Sequence, residues 1–149
     1  MRIVIQRVSE ASVKIDGKII SAIEKGFIVL LGIETEDSSA DADYLIQKLI
    51  NLRVFSDTEG KMNLSLTDVN GDLLIVSQFT LHASTKKGNR PSYIKAARPD
   101  QAIPLYEYFL SKTKSQFSGK VLSGEFGADM KVALVNDGPV TILIDSKEV

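Results

Sequence analysis

The sequence predicts an α+β fold: a single domain, residues 1–149, with a mainly antiparallel, curled or barrel-like β-sheet and two main helices. Strand-like segments occur in runs, and only two segments between them carry apolar residues at helical spacing. A chain of 149 residues with 44% hydrophobic residues also suits one compact core better than two. No repeat or linker-like segment divides the chain.

The first strands are predicted from alternation and turn chemistry. Near the start, apolar residues recur at period two, and Asp16-Gly17 is typical of a hairpin turn before a second strand, residues 18–23. Residues 27–33 (FIVLLGI) are apolar on both sides, which predicts a central, buried strand. The alternating residues of the first strand are Ile3, Ile5, Val8, Val13 and Ile15.

The first helix is predicted over residues 39–51, with Ser38, Ser39 or Asp41 as its N-cap. Residues 53–56 and 73–78 are predicted strands that flank a polar excursion, residues 57–72. The apolar positions that predict the helix are Ala42, Leu45, Ile46, Leu49 and Ile50.

The second helix is predicted to begin at Pro99-Asp100, and the chain then returns to strands over residues 120–123, 130–135 and 140–144. The spacing of its apolar residues places one face of this helix against the core. That face consists of Ala102, Leu105, Tyr106, Phe109 and Phe117.

Charge is distributed unevenly. The net charge is −1, but residues 84–99 (STKKGNRPSYIKAARP) carry five positive residues and no acid, which leaves thirteen positive and nineteen negative residues elsewhere, a balance of −6. Such a segment is either a solvated loop or a local phosphate contact, and it does not suit a long duplex tract.

Several kinds of chemistry are excluded or disfavoured by what the sequence lacks. It has no cysteine, hence no disulfide or thiolate, and no nucleotide-binding, zinc-protease or hydrolase-elbow motif. With one histidine and no convincing carboxylate cluster, we expect neither a metal nor another cofactor. No apolar stretch is long enough for a membrane span, and the first residues do not resemble a signal peptide, so we expect a cytoplasmic protein.

Thr80 and His82 raise one catalytic alternative. On an extended chain, side chains two residues apart point to the same face, so a threonine nucleophile paired with a histidine base is conceivable. No acid nearby in sequence would orient the imidazole. A polar histidine at a strand exit is the simpler interpretation.

Two segments are candidates for a functional site. Ser77, Gln78, Phe79 and Thr80 follow a buried strand, where hydroxyl and amide groups can surround a bound ester without any ionisable residue. Residues 136–139 (NDGP) are typical of a turn. The Gly138-Pro139 bond can also be cis, which would form a backbone obstacle without a side chain.

These segments and their neighbours resemble the D-aminoacyl-tRNA deacylase family. The matching pieces are in register along the chain, with two departures: Tyr93 stands where the family usually has Phe, and the family motif has no histidine at position 82. The pieces are IQRVSEASV (5–13), FSDTEGKMNLSL (55–66), VSQFTL (76–81), KGNRPSY (87–93) and FGADMKVALVNDGPVT (126–141).

The resemblance implies an editing hydrolase of D-aminoacyl-tRNA, and of glycyl-tRNA mischarged on alanine tRNA, that is a homodimer with its active site at the subunit boundary. Ser77, Gln78, Phe79 and Thr80 would line the pocket for the aminoacylated terminal adenosine. A Gly-cisPro element at Gly138-Pro139 would enter the partner's pocket and reject L-amino acids.

The resemblance further implies that the tRNA 2′-hydroxyl assists catalysis. Our own hypothesis is that Gln78 and the backbone N–H groups of Phe79 and Thr80 supply polar contacts, with the Thr80 hydroxyl assisting. Lys86, Lys87 and Arg90 are the candidate residues for contacts with tRNA phosphates.

Two rival classes of function remain: a non-catalytic RNA-binding module, and a general esterase using Thr80 and His82. The esterase predicts that His82→Ala abolishes activity, whereas the deacylase predicts little change.

Overall fold

The computed structural model describes residues 1–148, and within them the chain forms eight strands, two α-helices and one 3₁₀ turn. In chain order the elements are β1 (Arg2–Ile15), β2 (Lys18–Ile23), β3 (Gly26–Gly32), α1 (Ser39–Asn51), β4 (Phe55–Ser56), β5 (Met62–Leu64), β6 (Asp72–Ser77), the 3₁₀ turn (Phe79–His82), α2 (Pro99–Gln116), β7 (Val121–Ser123) and β8 (Lys131–Asp145). No helix in this part of the chain is both long and apolar enough to span a membrane.

The main sheet is built around β1. This long strand pairs antiparallel with β2, β3 and β8, and the sheet continues through parallel pairs, β3 with β6 and β6 with β7. The Ser21 hydroxyl of β2 donates to the Ser123 carbonyl of β7 at 2.6 Å and so links the two ends of the strand order. The sheet is therefore nearly closed like a barrel, and the predicted fold class is confirmed.

The central strands bury both of their faces, as the apolar run at residues 27–33 predicts. On β3, Phe27 and Val29 face the larger core beneath the helices, whereas Ile28 belongs to a smaller core inside the curl of the sheet. On β6, Leu73 and Leu74 divide in the same way. Burial on both faces is what parallel pairing of β3 with β6 requires.

Both helices lie where the sequence predicts them, and they pack on the larger core. Ser38 is the N-cap of α1, and its N–H donates to the Asp41 carboxylate at 2.9 Å, as in a capping box. The Tyr108 hydroxyl of α2 donates to Asp43 of α1 at 2.7 Å and ties the two helices together.

Three local predictions are wrong. Residues 130–135 and 140–144 are not two strands but parts of one, β8, and the NDGP segment is a bulge within it. The 3₁₀ turn at Phe79–His82 replaces the extended backbone assumed for Thr80 and His82. Only Phe55–Ser56 of residues 53–56 is a strand, and it forms a hairpin with β5, which lies inside the polar excursion.

The bulge in β8 can be read from the pairing of β8 with β1. Gln6 pairs with Thr141 and Val8 pairs with Asn136, so two steps along β1 correspond to five along β8. The three extra residues are pushed out of the ladder. Because β1 extends beyond the bulge in both directions, pairing resumes and the strand continues.

Asp41 should contribute to stability in a way that depends on pH. Burial opposes its charge, but the Ser146 hydroxyl at 2.7 Å, the Ser38 N–H and the Lys147 ammonium at 3.0 Å outweigh burial and hold the pKa of Asp41 well below its ordinary 3.8. A pKa lower in the folded than in the unfolded state stabilises the fold above the unfolded value. That contribution is lost as pH falls through 3.8 and below.

We therefore expect Asp41→Asn to lower the free energy of unfolding by about 1.5–3 kcal/mol at neutral pH, with a difference from wild type that shrinks below about pH 4. Urea unfolding at a series of pH values measures this. Glu59→Gln removes an exposed carboxylate and is the control. A difference that is independent of pH would contradict the assignment to the Asp41 charge.

Candidate active site

A cavity of about 290 Å³ opens at the carboxyl ends of β3 and β6. These strands are parallel and Leu31 pairs with Ser77, so both strands end at the same edge of the sheet. The segments that follow them form the walls. The lining residues are Leu31, Ile33, 76–79, Ala97, Ala102, 126–130 and Val132.

One wall of the cavity is the segment that the sequence singles out. Ser77, Gln78 and Phe79 line the cavity. The Gln78 N–H still donates to the Leu31 carbonyl at 2.8 Å, after which the backbone leaves the sheet and enters the 3₁₀ turn. Phe79 exposes 54% of its surface although it is aromatic. A turn that follows a buried strand thus presents an amide, a hydroxyl and an aromatic ring to the cavity.

Thr80 does not line the cavity but contacts its wall. The Gln78 side-chain N–H donates to Thr80 Oγ1 at 2.5 Å, so the two predicted polar groups are joined. Among residues 1–148 no acceptor is found for the backbone N–H groups of Phe79 and Thr80, as expected at the start of a 3₁₀ turn. The turn therefore leaves these two backbone donors without a protein acceptor in the described chain.

The opposite wall is a segment for which the sequence predicts no role. Residues 126–130 (FGADM) line the cavity, and the Phe126 ring packs against Tyr106 of α2 with ring centroids 5.5 Å apart. Tyr106 is buried, which raises the pKa of its hydroxyl. A signal for this wall is present in the sequence, because FGADM lies within one of the segments that carry the resemblance described above.

His82 is not paired with Thr80. It is 4% exposed, and its Nδ1 lies 3.2 Å from Glu34 Oε2, while its Nε2 is buried without a partner in the described chain. Glu34, in the loop after β3, is thus an acid close to His82 that is not adjacent to it in the sequence. Since His82 faces Glu34 and no hydrogen bond joins it to Thr80 within residues 1–148, the geometry does not support a threonine–histidine pair.

The basic segment forms an exposed loop at the mouth of the cavity. Lys86, Lys87 and Arg90 are all exposed. The loop is closed by two backbone hydrogen bonds of 2.8 Å between Ser84 and Ser92, and its Tyr93 ring stands edge-on to Phe79 with centroids 5.0 Å apart. The three predicted phosphate contacts therefore lie on a segment that touches the cavity wall.

Gly138 and Pro139 lie elsewhere. Their peptide bond is cis, one of the two forms that the Gly-Pro sequence permits, and both residues are exposed on the bulge of β8, away from the cavity of their own chain. Arg7 holds the bulge in place because its Nε donates to the Asp137 carbonyl at 2.9 Å and its Nη1 donates to the Val54 carbonyl at 2.6 Å.

The bulge is also held from within β8. The Val140 N–H donates to the Asn136 side-chain oxygen at 2.8 Å, and the Asn136 amide donates to Thr141 Oγ1 at 3.0 Å. Strand β8 pairs only with β1 in the described chain, so its outer edge is free. Val132, Val135 and Leu143 are exposed along it.

Among residues 1–148 no cluster of His, Asp and Glu has the arrangement of a metal site.

Comparison with known proteins identifies the family to which the chain belongs. The family model described as D-Tyr-tRNA(Tyr) deacylase matches residues 4–145. The chain belongs to this family. Curated relatives named D-aminoacyl-tRNA deacylase include those of Christiangramia forsetii, 62% identical over 99% of both chains, and Flavobacterium psychrophilum, 59% identical over 99% of this chain and 98% of the relative.

Solved structures agree with the fold of this deacylase family. A structure named "c-Myc DNA Unwinding Element Binding Protein" is 42% identical, with a TM-score of 0.93 over 97% of this chain and 98% of the other. A structure described as a probable eukaryotic D-amino acid tRNA deacylase has a TM-score of 0.79 at 18% identity, which supports the fold alone. The chain is accordingly an enzyme, a hydrolase of the D-aminoacyl-tRNA deacylase type.

Proposed function

We propose that the protein hydrolyses the ester of D-aminoacyl-tRNA and that the cavity beside the 3₁₀ turn holds the aminoacylated terminal adenosine. The observation that carries this proposal is the placement of Ser77, Gln78 and Phe79 on a wall of that cavity, directly beside an exposed basic loop. A tRNA end requires this combination, because the ester must enter a pocket while phosphates stay on the surface.

The reaction we propose is a direct attack by water. The water oxygen bonds to the ester carbonyl carbon, the bond from that carbon to the ribose oxygen breaks, and a proton passes to the leaving ribose hydroxyl. An aminoacyl ester is activated, so positioning and stabilisation of the oxyanion are sufficient without a strong nucleophile. The N–H groups of Phe79 and Thr80 are the proposed oxyanion donors, and the tRNA 2′-hydroxyl assists the proton transfer.

Selection of the D-enantiomer is assigned to Gly138-Pro139 of a second copy of the chain. These residues are exposed and rigidly held, yet they do not reach the cavity of their own chain, so they can act only in a partner's cavity. The free edge of β8 with its exposed apolar residues is a suitable surface for a homodimer. A backbone obstacle excludes L side chains and accepts all D side chains.

Glycyl-tRNA mischarged on alanine tRNA follows as a second substrate. Glycine has no side chain on either side of its α-carbon, so an obstacle aimed at the L side chain does not exclude it. The same site would then serve both editing reactions.

The decisive experiment uses matched D- and L-aminoacyl-tRNA with the same tRNA and amino acid. We expect release of the D-amino acid at least about 100-fold faster than release of the L-amino acid, corresponding to about 2.7 kcal/mol. Quenched time courses with labelled amino acid measure both rates. Equal hydrolysis of the two enantiomers would refute chiral selection, and no hydrolysis of either would refute the proposed activity.

The basic loop should control the salt dependence of tRNA binding. Replacing Lys86, Lys87 and Arg90 by alanine removes three exposed cations, and if all three contact phosphate the slope of log K against log salt falls by about 2 to 3. Filter binding of aminoacyl-tRNA at several salt concentrations measures this slope. A triple variant at Lys18, Lys61 and Lys114, exposed lysines outside the loop, changes the net charge equally and should keep the wild-type slope.

The rival classes receive less support from the structure. A general esterase needs the Thr80–His82 pair, which the geometry does not form. A non-catalytic RNA-binding module predicts binding of aminoacyl-tRNA without release of the amino acid. The name of the 42% identical structure refers to a DNA element, and duplex DNA is therefore a useful competitor. Because the protein has one short basic loop on an otherwise acidic body, it should bind duplex DNA poorly, and duplex DNA should not compete with tRNA.

A further inference from the structure

We propose that His82 is a positioning residue: its contact with Glu34 fixes the cavity turn relative to the basic loop, so that the ester and the tRNA phosphates are held at a set separation. This inference rests on the proposed function. It begins from an unusual feature, a buried imidazole with one nitrogen facing a carboxylate at 3.2 Å and the other nitrogen unpartnered in the described chain. Burial of such a group is costly unless it makes a specific contact.

Glu34 connects His82 to the far end of the basic loop. The loop leaves the 3₁₀ turn just after His82 and returns to the body of the protein at residues 95–97. There Glu34 pairs with Ala96 in an antiparallel bridge, and on either side of it the Thr35 N–H donates to the Lys95 carbonyl at 3.1 Å and the Ala97 N–H donates to the Ile33 carbonyl at 3.0 Å. Glu34 therefore contacts both ends of the loop, one through its side chain and the other through its backbone.

The turn itself has other supports. Arg2 Nη1 donates to the Leu81 carbonyl at 2.6 Å, and the Arg2 guanidinium is in turn paired with Asp145 at 2.8 Å. The Gln78 N–H remains in the sheet. Loss of the Glu34–His82 contact should thus leave the cavity wall in place and alter mainly its position relative to the basic loop.

This arrangement predicts a separation of effects between two substrates. D-aminoacyl-tRNA uses both the cavity and the loop, whereas D-aminoacyl-adenosine, a nucleoside ester without phosphate, uses the cavity alone. For His82→Leu we expect KM for D-aminoacyl-tRNA to rise about tenfold with kcat within about twofold, because binding and not chemistry is affected. The kcat/KM for D-aminoacyl-adenosine should stay near the wild-type value, whereas the tenfold effect on aminoacyl-tRNA is larger than the little change that the resemblance alone predicts for loss of His82.

Conservative and matched variants make the test specific. His82→Asn places an amide N–H near the position of Nδ1 and should restore the wild-type KM. Glu34→Ala should reproduce His82→Leu, whereas Glu34→Gln keeps an acceptor oxygen and should not. Glu36→Ala removes an exposed acid from the same loop and controls for the change in charge near the tRNA. The double variant His82→Leu/Glu34→Ala should be no worse than either single variant, since the two act through one contact.

Each outcome decides the matter. A rise in KM confined to aminoacyl-tRNA and reversed by Asn at position 82 supports the proposal. Equal losses on both substrates, or no change on either, overturn it. If His82→Leu does not fold, Glu34→Ala carries the test, because Glu34 is partly exposed and leaves no core cavity. A wild-type protein that releases no D-amino acid refutes the proposed function itself, which keeps the two failures distinguishable.

Discussion

Gly138→Ala should abolish deacylation, with a fall in kcat/KM of at least about 100-fold, or about 2.7 kcal/mol of transition-state stabilisation. Gly138 has a φ of 138°, where a residue with a side chain is strained. A Cβ at this position would lie 2.9 Å from Val140 Cγ2, 3.1 Å from Arg7 Nη2 and 3.1 Å from the Val140 nitrogen. Alanine must therefore displace the bulge, or Arg7 that holds it.

The Gly138→Ala substitution is expected to act in the partner's cavity. If Gly138 faces the α-carbon of the bound amino acid, an added methyl group also intrudes on the space that a D-aminoacyl ester occupies. Steady-state deacylation of D-aminoacyl-tRNA by the purified variant measures the effect, with circular dichroism and sedimentation to establish that fold and assembly are retained.

Gly17→Ala is the matched control for this prediction. Gly17 lies in the turn between β1 and β2 with a φ of 79°, and a Cβ there meets nothing within 4 Å. The variant should lose about 1 kcal/mol of stability for the left-handed backbone and keep its activity. Wild-type turnover by Gly138→Ala would place chiral selection elsewhere.

The sequence predicted most of the fold because its main signals are local. Apolar spacing placed α1 and α2 on the core, and the run at residues 27–33 identified β3 as a central strand. The bulge in β8 could not be predicted in this way. Asn, Asp, Gly and Pro are the residues that end strands, and only the length of β1 opposite them lets pairing resume beyond the bulge.

Of the two cavity walls, only one lies on a segment that the sequence singled out. Ser77, Gln78 and Phe79 follow a recognisable strand, but this local pattern alone is typical of an ordinary strand with polar caps, and the resemblance is what predicted a pocket there; the three residues line the cavity. The FGADM wall is distant in sequence and is brought close by the parallel pairing of β6 with β7, which no local pattern encodes. The contact between His82 and Glu34 likewise joins two loops that only the tertiary fold makes neighbours.

Thr80→Ala should lower kcat for deacylation by about 100-fold while the Kd for aminoacyl-tRNA changes by less than about twofold. Thr80 Oγ1 accepts the hydrogen bond from the Gln78 side chain, so its own proton is free to be donated toward the ester or the attacking water. The tRNA phosphates contact a different segment in the proposed complex, and binding should therefore persist without the hydroxyl.

Thr80→Ser keeps the hydroxyl and should retain activity to within about tenfold, whereas Gln78→Ala removes the other half of the hydrogen bond. If the two groups act together, the double variant Thr80→Ala/Gln78→Ala will lose less than the product of the single losses. Single-turnover rates and equilibrium binding of D-aminoacyl-tRNA separate chemistry from affinity. Equal loss of rate and binding would make Thr80 a binding residue. A burst of amino-acid release linked to an acyl-enzyme would make it a nucleophile and restore the esterase hypothesis.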